Sequence, residues 1–141
     1  MKENDRQRKA GFREIEHTAD WELEVWAPDL QGLLEQAAHG MYALAGVEFD
    51  NNSRCQRRFT LVADDAESLL VAFLNELLYF LEQERIAFDV FKIELQGFEL
   101  EVDLGGARLL KMAKEIKAVT FHRLMVQTTP EGLRVNIVFD V

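Results

Sequence analysis

Cysteine is nearly absent from this 141-residue chain, which has only Cys55. A single thiol excludes an intramolecular disulfide, and it disfavours a thiolate zinc site, because such sites use several cysteines. No histidine lies within several residues of Cys55, so a nucleophilic role is also disfavoured. We therefore predict an unreactive thiol in a loop.

Positive charge is scarce as well. Sixteen Lys and Arg stand against 25 Asp and Glu, which gives a net charge of -9 and a pI near 4.8. Proteins that grip nucleic acid directly neutralise phosphates with a basic patch. The dense cationic stretches here, residues 6–9 and 54–58, are short. The composition predicts that the chain alone binds RNA poorly.

Long apolar runs are missing too. The strongest run, residues 69–81, is interrupted by Asn75 and Glu76 and is shorter than the roughly 20 residues that cross a bilayer. The first residues are polar and charged, unlike a signal peptide. We predict a cytoplasmic protein with no membrane contact, in which residues 1–11 form a disordered leader and residues 12–141 a single domain.

Common catalytic motifs are also absent. The chain has no glycine-rich phosphate loop, no G-x-S-x-G and no H-E-x-x-H. Its many carboxylates have no spacing that singles out an acid–base pair. The sequence therefore gives no indication of a self-sufficient active site.

Apolar residues are plentiful, and their spacing predicts the fold. The first stretch of helical spacing begins after Asp29 and ends at Gly46. A second helix is predicted after a capping box from Asp64 to Glu67. It is apolar nearly all round and runs to about Glu84. Elsewhere the period is two, which predicts strands at 12–16, 21–27, 56–62, 91–95, 98–104, 119–128 and 133–141. Residues 48–54 read as a polar loop, 105–106 as a turn, and 107–116 as an undecided stretch that suits a helical turn. The order favours an α+β fold, a mostly antiparallel or mixed β-sheet with two main helices.

The last predicted strand offers the clearest candidate site. Asp140 lies on the face opposite its apolar residues, next to the main-chain oxygens of Val141. Hard oxygen donors of this kind suit Ca²⁺, Mg²⁺ or Mn²⁺. The alternative is a solvated terminal aspartate.

Three other groups of residues each have a functional and a structural interpretation. In the corner at residues 17–20, Asp20 could bond the backbone of the turn and His17 a nearby carboxylate. His122, placed in a predicted strand, fits a hydrogen-bonded structural histidine better than a general base. Three lysines are either a solvated face or a small cationic spot for phosphate or an acidic partner: Lys111, Lys114 and Lys117.

Taken in order, four segments resemble the archease family. They are HTAD at 17–20, NELL at 75–78, KEIKAVTFH at 114–122 and FDV at 139–141. The segment KEIKAVTFH, followed by FDV at the right spacing, is specific to the family. HTAD alone would be weak evidence for it. The resemblance covers essentially the whole predicted domain.

The resemblance implies an archease-like α+β domain that binds a divalent metal ion through Asp20, Asp140 and the main chain of Val141. Calcium (Ca²⁺) is the first expectation, with Mg²⁺ and Mn²⁺ as alternatives. Lys117 matches a family lysine associated with partner activation, and His17 and His122 are supporting residues.

The implied function is that of a non-catalytic cofactor for an RtcB-type RNA ligase in tRNA splicing and RNA repair. It would promote guanylylation of the ligase and its repeated turnover, and it would reach RNA only through the ligase. Two alternatives stay open: a stand-alone metal-dependent hydrolase that uses Asp20 and Asp140, and a chaperone-like domain with a structural metal.

Overall fold

The computed structural model describes residues 9–16 and 19–141, and it has the predicted α+β class. Most of the predicted leader lies outside the described residues, and β1 begins at Gly11. In chain order the elements are β1 (Gly11–Ile15), β2 (Trp21–Ala27), α1 (Leu30–Ala45), β3 (Glu48–Val62), α2 (Ala66–Tyr79, continued by a π-helical turn, Phe80–Glu84), β4 (Ile86–Gln96), β5 (Glu99–Lys111), β6 (Ala118–Val119), β7 (Gln127–Thr129) and β8 (Gly132–Asp140).

The strands form two antiparallel sheets. The five-stranded sheet has the order β1-β2-β8-β6, with β7 pairing further along β8, and the three-stranded sheet has the order β3-β5-β4. In the first sheet β2 and β8 are neighbours, although they lie near opposite ends of the sequence. Alternation gives this sheet one apolar face towards the helices, and we call its other face the outer face.

The first helix has the termini that the sequence predicts. The side chain of Asp29 accepts a hydrogen bond from the Gly32 backbone N–H (2.8 Å), which satisfies one of the free donors of the first turn. Gly46 ends the helix with φ 65° in the left-handed region, where a side chain is unfavourable. Between them, the apolar stripe of α1 is fully buried.

The second helix is capped one residue later than predicted. Asp65, not Asp64, accepts from the Ser68 backbone N–H (2.7 Å), and this bond holds the pKa of the Asp65 carboxyl below its usual range. Glu67 does not complete a capping box, because its carboxylate accepts the Val126 backbone N–H instead (2.8 Å). Asp65 thus caps the helix alone, and Glu67 binds a distant segment.

The core lies between the two sheets. Helix α1 packs against β1 and β2 of one sheet and β4 of the other, whereas α2 packs against β6 and β3. Tyr42 of α1 is buried, and its hydroxyl accepts the Phe88 backbone N–H (3.3 Å). Burial raises the pKa of this phenol. As predicted, α2 is buried nearly all round and forms the centre of the core.

Two predicted interruptions of the three-stranded sheet are wrong. Residues 105–106 are not a turn, since β5 continues through them to Lys111 and pairs with both neighbours. At Gly106 a Cβ would lie 2.1 Å from the Ala87 carbonyl oxygen, so the glycine permits a close approach of two backbones. Residues 48–54 likewise belong to β3, which is irregular between Asp50 and Arg54 because Asp50 accepts bonds from Asn52 and Ser53.

The predicted strand at 119–128 is also wrong. Of this stretch, only its two ends pair with β8, as parts of β6 and β7, and the chain between β6 and β7 leaves the sheet. Arg123 adopts φ 52°, and the Leu124 N–H donates to the Phe121 carbonyl (3.1 Å). The Val126 N–H is taken by Glu67, so the ladder cannot continue.

A like-charge pair on the three-stranded sheet leads to a prediction. Glu94 and Glu101 are directly opposite each other in the β4–β5 ladder, where repulsion is destabilising. We expect Glu101→Gln to raise the free energy of unfolding by about 0.5 kcal/mol, measured by urea denaturation. The control is Glu99→Gln, because Glu99 faces Gln96 and Val62. Equal stability of the two variants would contradict the repulsion.

Candidate functional site

The β2–β8 ladder brings the two predicted aspartates together. Trp21 pairs with Phe139 at this end of the ladder, and Asp20 and Asp140 are the residues directly before the one and directly after the other in the sequence. Both aspartates are exposed. The Cα atoms of directly opposite residues such as Trp21 and Phe139 are about 4.5–5.5 Å apart, so the residues next to them are near each other. The result is an acidic pair contributed by opposite ends of the sequence.

The main chain of Asp140 also contacts the predicted lysine. Ala118 is paired with Asp140 on the other side of β8, and the Lys117 backbone N–H donates to the Asp140 carbonyl oxygen (2.8 Å). Lys117 itself is exposed, and no ion pair joins it to another residue within 9–16 and 19–141. The contact is through main-chain atoms, so the ammonium group stays available to a partner.

Three of the four motif segments are joined here by hydrogen bonds. Asn75 of α2 accepts the Val119 backbone N–H through Oδ1 (3.2 Å). The Thr120 N–H and Oγ1 both donate to the Val138 carbonyl (3.1 and 2.9 Å). The helix motif therefore fixes β6, and β6 fixes the end of β8 that carries Asp140.

The three lysines predicted as one candidate cationic spot are separated in the structure. Lys111 ends β5 and its Nζ lies 3.3 Å from Glu48 Oε2. Lys114 lies over the ring of Trp21, with Nζ 4.0 Å from the ring centre, an arrangement that a cation–π interaction favours. Lys114 thus contacts the residue after Asp20 and Lys117 bonds to the main chain of Asp140, whereas Lys111 is paired with Glu48.

Sequence reasoning missed Glu22 as part of this region. Glu22 is the next residue of β2 on the same face as Asp20, and it is only 9% exposed. Its carboxylate accepts from Asn136 Nδ2 (2.8 Å) and lies 3.8 Å from Arg123. Strand alternation predicts its face, but its partners come from distant segments. Glu22 holds the turn after β6 against the outer face.

Of the two histidines predicted as supporting residues, the structure describes one. His122 is in an exposed turn, not in a strand, and its backbone N–H donates to Thr120 Oγ1 (3.3 Å). Nothing in this arrangement assigns a role to its imidazole. His17 lies outside the described residues.

The donor set of the acidic pair fits a hard divalent cation. Two exposed carboxylates at adjacent positions, with the main-chain oxygens of Val141 next to them, are the ligand types that Ca²⁺, Mg²⁺ and Mn²⁺ prefer. Across the part of the chain that the structure describes, no three His, Cys, Asp or Glu side chains form a group that could hold a metal. Main-chain oxygen and water would have to complete the coordination.

Cys55 lies in β3 rather than in a loop, and it is half-buried. Both neighbouring arginines are bound to carboxylates: Arg54 donates to Asp89 and Arg57 to Glu84, each at 2.8 Å or less in its shortest contact. Each of these bonds raises the pKa of its guanidinium. The two cations therefore serve ion pairs, one with β4 and the other with the π-helical turn.

Of the helices within 9–16 and 19–141, none combines the length and the apolar character that a membrane span requires.

Comparison with known proteins gives consistent matches. The model of the archease protein family (MTH1598/TM1083) matches residues 12–141. The archease of Archaeoglobus fulgidus is 32% identical, over 92% of this chain and 98% of its own. The archease of Methanosarcina acetivorans is 29% identical, over 92% and 95%. A crystal structure from Thermotoga maritima, described as an archease and possible chaperone, superposes with a TM-score of 0.70 at 25% identity and covers 92% of this chain and 96% of its own.

Proposed function

The chain belongs to the archease family, and from this membership we propose that it is a metal-binding protein cofactor of an RtcB-type RNA ligase. It promotes guanylylation of the ligase and repeated turnover, in tRNA splicing and RNA repair. The observation that supports the proposal best is the meeting of Asp20, Asp140 and the main chain of Lys117 at one end of the five-stranded sheet.

In this proposal the acidic pair holds the metal. The carboxylates of Asp20 and Asp140 and a main-chain oxygen of Val141 bind Ca²⁺, or Mg²⁺ or Mn²⁺ in its place. A bound divalent ion supplies a concentrated positive charge at a surface that is otherwise acidic. The hydrogen bonds from Lys117 and Thr120 to β8 support this position, because they fix the strand end that carries Asp140.

Lys117 has a separate role in the proposal. A protonated ammonium group has no lone pair and cannot ligate a cation. Its exposure suits a contact with a phosphate or a carboxylate of the ligase complex. The acidic composition agrees with a division of labour in which the ligase holds the RNA and this chain contacts the ligase.

The test is guanylate transfer from GTP to a cognate RtcB-type ligase. We expect Lys117→Ala to lower the stimulated rate about tenfold or more, because a lost charge-assisted contact costs about 1.5–3 kcal/mol. Metal affinity and the free energy of unfolding should stay close to wild type. Lys92→Ala is the matched control, since Lys92 is an exposed lysine of the other sheet. Full stimulation by Lys117→Ala would overturn its assigned role.

The description of the Thermotoga maritima relative as a possible chaperone supports a second candidate function, a chaperone-like domain in which metal is structural. The two candidates differ in one measurement. If the metal is structural, the metal-free wild type and the variants of the acidic pair are unfolded at the temperature of the ligase assay and lose stimulation for that reason. If the metal serves activation, they stay folded at that temperature and still lose stimulation.

A further inference from the structure

A cavity of about 490 Å³ opens on the outer face of the five-stranded sheet, at the end away from the acidic pair. The indole ring of Trp26 lines it, together with Leu133 and the side chains of Lys9, Arg13 and Arg134. Trp26 is six residues along β2 from Asp20, which is about 20 Å at the rise of a strand. We call this space the indole cavity. Its size is typical of small-molecule sites.

Cations converge on the indole cavity although the chain as a whole is acidic. Three Lys and Arg side chains line it against two glutamates, Glu24 and Glu131, whereas the whole chain has a net charge of -9. The net charge of the residues that line the cavity is therefore positive, whereas the net charge of the protein is negative. A small anion is attracted to such a place and repelled by the surface around it.

The two arginines are held in place by one carboxylate. Arg13 donates from Nε to Glu24 Oε1 (2.7 Å), and Arg134 Nη1 lies 3.6 Å from the other oxygen of the same group. Arg134 also donates from Nη2 to Gln127 Oε1 (3.2 Å). The Glu24 side chain is only 15% exposed, so it anchors both arginines from below. These bonds leave N–H groups on both guanidiniums for another acceptor.

The indole itself lacks an acceptor. Trp26 Nε1 is shielded from solvent and has no hydrogen-bond partner among the described residues. It is the one buried side-chain nitrogen or oxygen of the described residues that lacks a partner. A buried donor without an acceptor is unfavourable, because it has lost its hydrogen bonds to water. Because Nε1 is shielded from solvent while the cavity is open to it, the ring lines the cavity with its carbon surface and its N–H lies out of reach of a ligand there.

From these observations we infer that the indole cavity binds a small organic anion, with a carboxylate or phosphate directed to Arg13 and Arg134 and a flat apolar body against Trp26 and Leu133. The guanidiniums provide planar donor groups that suit either oxyanion. The indole and leucine surfaces suit an aromatic or aliphatic body. This inference is independent of the proposed ligase cofactor role, because the cavity shares no residue with the acidic pair.

Proton–nitrogen NMR of the indole N–H groups tests the inference directly. The chain has two tryptophans, and the spectrum of Trp21→Phe assigns the Trp26 signal. We expect benzoate to shift the Trp26 indole signal in a saturable manner. Acetate lacks the flat body and benzyl alcohol lacks the charge, so each should bind at least tenfold more weakly. Phenyl phosphate carries a phosphate in place of the carboxylate of benzoate. Whichever of the two ligands binds more tightly identifies the preferred oxyanion.

Substitution of the arginines completes the experiment. Arg13→Gln combined with Arg134→Gln should weaken benzoate binding about tenfold or more. The matched control combines Arg58→Gln with Arg108→Gln, which changes the charge equally at two exposed, ion-paired arginines of the other sheet. A Trp26 signal that does not shift overturns the inference. So does a shift that benzyl alcohol reproduces, or one that survives the loss of Arg13 and Arg134.

Discussion

Asp20→Asn and Asp140→Asn are each expected to weaken Ca²⁺ binding about a hundredfold or more, which corresponds to about 2.7 kcal/mol. Each substitution removes one of the two side-chain carboxylates in the proposed metal site and with it one negative charge. The asparagine keeps the size of the side chain, so the β2–β8 ladder should remain intact. Isothermal titration calorimetry of the purified protein measures the effect.

The control for this experiment is Asp64→Asn. Asp64 is an exposed aspartate that neither caps α2 nor belongs to the acidic pair. Its substitution therefore replaces one carboxylate by an amide outside the proposed metal site. A second readout is the melting temperature. Metal that binds the native state raises the melting temperature of the wild type, and we expect this increase to disappear in both aspartate variants. Wild-type affinity in both would show that the metal, if any, binds elsewhere.

Gly106→Ala is expected to lower the free energy of unfolding by about 3 kcal/mol or more. The added Cβ would lie 2.1 Å from the Ala87 carbonyl oxygen and 2.8 Å from Phe88 Cδ1. The first of these is a backbone atom, so β4 and β5 must separate to make room. Urea denaturation followed by circular dichroism measures the loss.

Gly105→Ala is the matched control for Gly106→Ala. Its Cβ would come no closer than 3.2 Å to a neighbouring atom, the Cβ of Val90, and that side chain needs to move only slightly. The same loss of glycine entropy from the unfolded chain applies to both positions. A similar stability for the two variants would contradict the argument from backbone proximity.

The features that the sequence predicts well are those set by neighbouring residues. Asp29 and Gly46 begin and end α1 because a cap and a left-handed C-terminal residue are local needs. The hairpin between β4 and β5 likewise follows from one turn, with Gly97 at φ 61°. In each case the residues that decide the structure lie within a few positions of each other.

The errors occur where a distant segment decides the local structure. Gly105 and Gly106 form a common turn pattern, yet the glycine is required by the backbone of Ala87 in another strand. Residues 119–128 alternate like a strand, but the middle of the stretch leaves the ladder, where the Val126 N–H bonds to Glu67 of α2. Neither partner can be identified from the local sequence.

The candidate site shows the same division. Alternation along β8 predicts correctly that Asp140 lies opposite the buried face. Its proximity to Asp20 depends on the β2–β8 register, which periodicity does not determine and which only the family resemblance implied. The indole cavity was missed because Arg13, Trp26 and Arg134 come from three different strands, where each is an ordinary outward residue.

The pairing of β2 with β8 also has a consequence for biosynthesis. The bond between Glu22 and Asn136 joins residues 114 positions apart, so β2 leaves the ribosome long before its neighbour in the sheet. At about 5–20 residues per second, the delay is roughly 6–23 s. During this time α1 can cover the apolar face of β2, but one hydrogen-bonding edge stays open. The acidic pair cannot form until translation has passed Asp140, so a nascent chain that ends before β8 has no such pair.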